Sequence, residues 1–273
     1  MRAKPIDQTE ENGVLHRLNP VSKLLAITPA MGLLMLATDP YTPLSFVVVG
    51  ALVTVVLGRL SPFSYLRVAA PLVVLAASFV LVYPFVVGGP DGAPSRVLVS
   101  LGPLAVQESG VRIGAATGLR ILALSVLSLL FVLTTETESF LRALVQNLGL
   151  PYRIGYSAMA AFRFAPMMRS DVKRVRAAHT VRGTPQTDGL RDRVHRVSRY
   201  AIPLFVNAIR RAERTALAMD ARAFGAYEER THYRTHSVTG TDVAFVVLFW
   251  TLSAGIVVIL WQLNVFGALT ILQ

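Results

Sequence analysis

VAFVVLFWTLSAGIVVILWQL, residues 243–263, is a run of 21 residues with no charged side chain. A helix of about 20 such residues spans the roughly 30 Å of a bilayer's hydrocarbon core, so this stretch reads as a membrane crossing. Toward the N-terminus, apolar runs of full length recur at 113–133 and 68–87, and shorter ones at 44–57 and 24–37. The short pair reads as spans too, because both lack charges and Asp39-Pro40-Tyr41-Thr42-Pro43 between them is a turn. These runs predict an all-α membrane protein with about five transmembrane helices. Residues 1–133 hold an N-terminal tail and four of them, 134–240 a basic helical region, and 241–273 the last.

Composition agrees. The chain has 273 residues, of which 53% are hydrophobic and only 16% charged, against about 25% charged in a soluble domain. It has no cysteine, which excludes disulfides, thiolate metal sites and cysteine nucleophiles. The first twenty residues contain Asp7, Glu10 and Glu11 and lack the basic-then-apolar order of a cleavable signal peptide.

Charge sets an expected orientation. Of the net +11, all lies in residues 141–236, with 18 Lys+Arg against 7 Asp+Glu, while the rest of the chain holds nine of each. Lys and Arg are retained on the cytoplasmic side. Arg142 and Arg153 follow the fourth run, and Arg230 and Arg234 precede the fifth. Counting back puts Arg2, Lys4, Arg17 and Lys23 inside, together with the loop carrying Arg59 and Arg67. The Asp39 turn, the Gly- and Pro-rich connection at 88–112 and the C-terminus fall outside.

Within the basic region, Thr135-Glu136-Thr137-Glu138 is a helix start, and Gly149-Leu150-Pro151 ends that helix. Residues 152–168 are rich in small side chains and carry Met159, Phe162, Met167 and Met168, an adaptable contact surface that also fits packing against the chain's own spans. Residues 170–182 are strongly basic. After Pro185 and Gly189, residues 190–223 read as a long helix with a break near Pro203. Its apolar stripe runs through Ile202, Phe205, Ile209, Ala212, Ala216 and Met219, with Arg210, Arg211 and Arg214 off it, the pattern of an interfacial amphipathic helix.

Two cassettes end these helices: Val181-Arg182-Gly183, followed by Thr184 and Pro185, and Ala221-Arg222-Ala223, followed by Phe224 and Gly225. Glycine past a helix and proline soon after are stop signals, so both arginines are expected at helix tips. A cation there gains about 0.3–1 kcal/mol from the helix dipole, which accounts for one arginine but not for a matched pair. Slender neighbours let a helix end enter a groove, where guanidinium pairs bidentately with a carboxylate as lysine cannot. Two such tips suggest two equivalent receiving sites.

Leu15-His16-Arg17-Leu18-Asn19-Pro20 through Lys23, the segment 178–183 around Arg182, and Ala218-Met219-Asp220-Ala221-Arg222-Ala223-Phe224-Gly225 resemble the motifs of the T component of energy-coupling factor transporters. This branch of the ABC transporters takes up vitamins and metal ions. The resemblance covers essentially the whole chain. It departs at Val181, before the first arginine, and at Ala223, where glycine is common. It implies that 134–240 is a coupling-helix region whose two arginine motifs each dock on one of two ABC ATPase subunits. A small membrane S component, which captures the substrate, then rests on the coupling helices. Met159, Phe162, Met167, Phe205, Ile209 and Met219 are the contacts expected for it. The remaining partner is the lipid bilayer, with ATP bound by the ATPases and no cofactor here. The protein is then a multi-pass cell-membrane subunit and not an enzyme.

The chain has no Gly-Lys pair and hence no phosphate-cradling loop of the G-x-x-x-x-G-K-[ST] type. His232 and His236 are four apart but lack a third ligand, and read as solvated loop residues. Arg120 is the one ionisable side chain inside the apolar runs, which speaks against a self-contained solute pathway. The alternatives are a membrane-bound lipid enzyme, a membrane-tethered nucleic-acid binder and a different ABC permease. The first lacks a convergent set of acids, histidines or metal ligands, and the second lacks aromatic interleaving among its arginines. The third would carry its coupling helix in a short loop.

Overall fold

A computed structural model of the chain describes residues 13–86, 97–101, 104–183, 190–227 and 237–263. The first long helix begins where the sequence offers both a cap and a proline. The Asn19 side chain accepts a hydrogen bond from Val21 N at 3.0 Å, and Pro20 takes the first helical position, where its missing N–H goes unneeded. The helices in chain order are α1 (Val14–Arg17), α2 (Pro20–Leu36), α3 (Tyr41–Val56), α4 (Pro62–Val86), α5 (Glu108–Thr134), α6 (Thr137–Asn147), α7 (Tyr152–Val181), α8 (Leu190–Asp220) and α9 (Gly240–Gln262). They divide between two units, Met1–Phe140 with Ser237–Gln273, and Leu141–His236. The second unit is the stretch that carries the whole charge excess.

In the first unit α5 packs on α2, α3 and α4, while α9 packs on α2 and α3. Leu34, Phe46, Leu127, Leu130, Phe245 and Phe249 form its core. Three segments, Pro62–Phe85, Glu108–Thr134 and Gly240–Gln262, are long and apolar enough to cross a membrane, and α2 and α3 are shorter apolar helices of 17 and 16 residues. Val74, Leu81 and Leu248 are each about two-thirds exposed, a surface that suits a hydrocarbon solvent. The protein is therefore an all-α membrane protein, with one small exception. Within the connection at 88–112, β1 (Val97–Leu101) and β2 (Leu104–Gln107) pair as an antiparallel ribbon, a consequence of the valine-rich alternation in VLVSL and LAVQ.

The turn between α2 and α3 is buried at Ala37, Asp39 and Thr42, where an unpaired backbone group costs several kcal/mol. Side chains supply the partners. Arg120 of α5 donates to the Ala37 carbonyl that closes α2. Asp39 accepts from Thr42 N at 2.6 Å and from the Thr42 hydroxyl at 3.0 Å, which starts α3. Arg120 thus has a structural task as a cap. Backbone proximity matters between α4 and α5: a Cβ on Gly118 would lie 2.6 Å from the Ala76 carbonyl oxygen, closer than any side chain can come.

A buried polar cluster joins three helix ends at one place in this unit. Asp242, in the first turn of α9, accepts from Thr239 N at 2.8 Å and the Thr239 hydroxyl at 2.5 Å, completing a capping box. Its other oxygen accepts from Asn19 N at 2.6 Å. One turn into α2, the Lys23 ammonium donates to the Thr134 carbonyl at 2.7 Å and to the Thr135 hydroxyl at 3.2 Å. The cation thereby closes the C-terminus of α5, where the helix dipole is negative.

In the second unit α6 stops at Gly149, whose φ of +69° glycine adopts without strain. Residues 152–168 and 170–182, read apart in the sequence, form the single helix α7 with Pro166 inside it. Likewise α8 runs unbroken through Pro203, where the sequence allowed a break. The two are antiparallel: Asp171 meets Arg211, and the rings of His179 and Tyr200 lie 5.1 Å apart.

Candidate functional site

Both cassettes lie in the second unit and share one backbone geometry. At the first, Arg182 is the C-cap of α7, with Arg182 N bonded to the Ala178 carbonyl at 3.1 Å, and Gly183 turns left-handed at φ +68°. At the second, Ala223 takes the left-handed conformation at φ +56°. Ala223 N bonds to the Asp220 carbonyl at 2.9 Å and Phe224 N to the Met219 carbonyl at 3.0 Å. Those are the paired bonds of a Schellman cap, with Arg222 in the capping position. Each arginine therefore occupies the residue just before the left-handed one. The sequence pointed to Gly225 as the stop signal of α8; the cap closes two residues earlier, on an alanine.

An alanine held left-handed carries about 1–2 kcal/mol of strain that a glycine does not. What holds it is the segment beyond. Phe224 packs edge-on against Tyr152 and Tyr156, and Arg153 and the Tyr152 hydroxyl donate to the Gly225 and Tyr227 carbonyls at 2.6 and 2.7 Å. Ala223→Gly is expected to raise the protein's melting temperature in detergent by a few degrees, since relieving about 1 kcal/mol shifts a chain of this size by roughly 2–4 °C. A lowered midpoint would mean that Ala223 is not strained.

All six cassette residues are solvent-exposed. Among the described residues neither the Arg182 nor the Arg222 guanidinium has a hydrogen-bond or ion-pair partner. Because α7 and α8 run antiparallel, the two tips leave at opposite ends of the helix pair. Thr184, Pro185, Gly189, Arg230, Arg234, His232 and His236 lie outside the described residues, as do Arg2, Lys4, Asp7, Glu10 and Glu11.

The expected apolar contacts divide by exposure. Phe162, Met167, Phe205 and Ile209 are at least half exposed, and Leu217 and Ile202 extend the same kind of surface on α8. Met159 is only 5% exposed; it follows Gly155 by one turn on the buried face of α7. Met219 is half-buried.

Residues 11–233 match the family described as cobalt transport protein, CbiQ. The chain belongs to this family and is an energy-coupling factor T component. An energy-coupling factor transporter transmembrane protein EcfT of Thermosediminibacter oceani is 29% identical over 253 residues, covering 89% of this chain and 92% of the relative. The Brevibacillus brevis protein of that name is 34% identical over 236 residues, covering 84% and 87%. A Bifidobacterium longum protein named as an ABC transporter ATP-binding protein is 28% identical over 242 residues; the match covers 86% of this chain but only 30% of that longer polypeptide.

In this T component the opening motif has a visible task. Asn19 and Lys23 are the residues on which the chain segments before α6 and at the start of α9 are fastened. Their partner Asp242 carries no signal in the sequence beyond Thr239-x-x-Asp242, a capping pattern ahead of an apolar run.

Proposed function

We propose that this T component couples two ABC ATPase subunits to a small substrate-binding S component in an importer for vitamins or metal ions. The observation that carries the reading is the pair of exposed arginines, unpartnered among the described residues and each just before a left-handed residue, at opposite ends of an antiparallel helix pair. Helices of 30 and 31 residues are about 45 Å long, so tips at their opposite ends reach two receivers and not one groove. Val181, Arg182 and Gly183 form one docking tip, and Ala221, Arg222 and Ala223 the other. The Bifidobacterium longum relative supports an ATPase as the receiver, since the similar segment is there part of a longer protein named for ATP binding.

The S component rests on the apolar surface of α7 and α8 around Phe162, Met167, Phe205 and Ile209. Closure of the ATPases on ATP moves the tips, and the helices carry that motion to the S component. Arg182 and Arg222 thus transmit force and do no bond chemistry, and cargo identity resides in the S component. In this reading residues 1–133 and 241–273 supply five membrane crossings and 134–240 the coupling region. The N-terminus and the coupling region are cytoplasmic and the C-terminus is outside, as the distribution of Lys and Arg favours.

The test is purification of the tagged chain from its native membrane at native expression. Two ABC ATPase subunits and one small, very hydrophobic protein should accompany it in stoichiometric amounts, identified by mass spectrometry. A monodisperse particle without ATPases would refute the reading.

A further inference from the structure

Three strips run along α8. Leu204, Ala208, Arg211, Thr215 and Met219, three or four residues apart, form its half-buried side, where Arg211 Nη2 donates to Asp171 of α7 at 2.9 Å. Ile202, Phe205, Val206, Ile209 and Leu217 are an exposed apolar strip. The third strip is cationic. Arg199, Asn207, Arg210 and Arg214 are exposed and, with Pro203 completing the steps of three or four, form one row about 22 Å long. Among the described residues none of its three guanidiniums has a hydrogen-bond or ion-pair partner. Glu213, the acid nearest to them in sequence, is exposed and pairs with none of them.

The row borders the apolar strip. Arg199, Arg210 and Arg214 stand three or four residues from Ile202, Val206 and Leu217, spacing that lays each arginine stem beside an exposed apolar side chain with its head in water. That arrangement suits the boundary between hydrocarbon and water. The apolar strip is also where the S component rests, and a protein embedded in the bilayer has its cytoplasmic edge at the level of the lipid phosphates. A leaflet offers phosphate along the whole row, whereas an acidic protein patch would have to match three cations at two unequal spacings. Guanidinium takes phosphate oxygens as a fork. In phosphatidylcholine the headgroup's own ammonium neutralises that phosphate. Phosphatidylglycerol leaves it with a net charge, so uncompensated arginines select the anionic lipid.

We propose that Arg199, Arg210 and Arg214 hold the headgroups of anionic phospholipids of the cytoplasmic leaflet, along the edge of the surface that seats the S component. This rests on the reading of α7 and α8 as that seat. Each arginine close to an anionic headgroup favours it about fivefold. The bound lipids neutralise the row, so the S component meets an apolar seat with a lipid edge and not a free cationic one.

Photocrosslinking from within the row tests this. Asn207, exposed in its middle, is replaced by p-benzoylphenylalanine. The complete complex is irradiated in nanodiscs of equimolar phosphatidylglycerol and phosphatidylcholine, and the adducts are identified by mass spectrometry. Lipid adducts are expected, enriched about fivefold or more in phosphatidylglycerol. With Arg199→Gln, Arg210→Gln and Arg214→Gln together, the two lipids react equally, while lysine at the three positions keeps the charge and part of the preference. Equal capture of both lipids beside the native row overturns the proposal, as does a preference that survives the glutamines. An adduct with a protein subunit, or none, overturns it too. If the glutamine variant fails to assemble, the native ratio and the lysine variant decide. The seat is tested separately by the same probe in place of Phe205, which should capture the small hydrophobic S component. Lipid at both positions refutes the seat and leaves the lipid row standing.

Discussion

Reversing both tip charges, Arg182→Glu with Arg222→Glu, is expected to abolish ATPase association while the chain still inserts and folds. Each guanidinium is exposed and unpartnered among the described residues, so replacing either removes no contact among them. In a complex each is expected to meet a carboxylate in a groove, and breaking such a pair costs about 2–5 kcal/mol. At 1.4 kcal/mol per factor of ten, that weakens each attachment roughly 30-fold or more. The single variants keep one tip and lose the gain from double attachment. They should therefore fall between native and double variant in a titration of ATPase against the nanodisc-held complex. Lysine at either position retains charge but not the bidentate fork, and should recover binding only in part. Native affinity in the double glutamate variant would end the docking reading.

The second large effect lies in the membrane unit. Asp242→Ala leaves Asn19 N and Thr239 N without their acceptor and removes the anion within electrostatic reach of the buried Lys23. Leaving a buried donor unsatisfied costs about 1–3 kcal/mol, and with two orphaned at once the melting temperature of a chain of this length falls by roughly 10 °C. Lys23→Met should cost a similar amount, because the Thr134 carbonyl loses its donor and Asp242 its neighbouring cation. Groups in one network do not add, so the double variant, Lys23→Met with Asp242→Asn, should lose less than the two single losses combined. Additive losses in thermal unfolding would show that the two charges act independently.

Much of this architecture is legible in the order of the residues. Apolar runs of about 20 residues mark the long membrane helices, and both cassettes lie where stop signals say a helix should finish. Other features depend on partners far away in sequence. Asp242 looks like an ordinary helix-start acid, and only the fold brings Asn19, more than two hundred residues earlier, to its free oxygen. Arg120 reads as an anomaly inside an apolar run until the end of α2 is placed beside it. Ala223 is hidden for another reason: propensity favours glycine in a left-handed cap, and the packing of Phe224 outweighs it. Met159 shows the limit of periodicity, which tells which side chains share a face but not whether that face is covered.

The fastening of Thr134 and Thr135 to Lys23, and of Asp242 to Asn19, means that the polypeptide quits and rejoins the membrane unit at a single doorway. Residues 141–236 are in that sense a module inserted through adjacent ends, the arrangement that tolerates transplantation best. The first turn of α2, with Asn19 and Lys23, is the fixed socket for both chain ends.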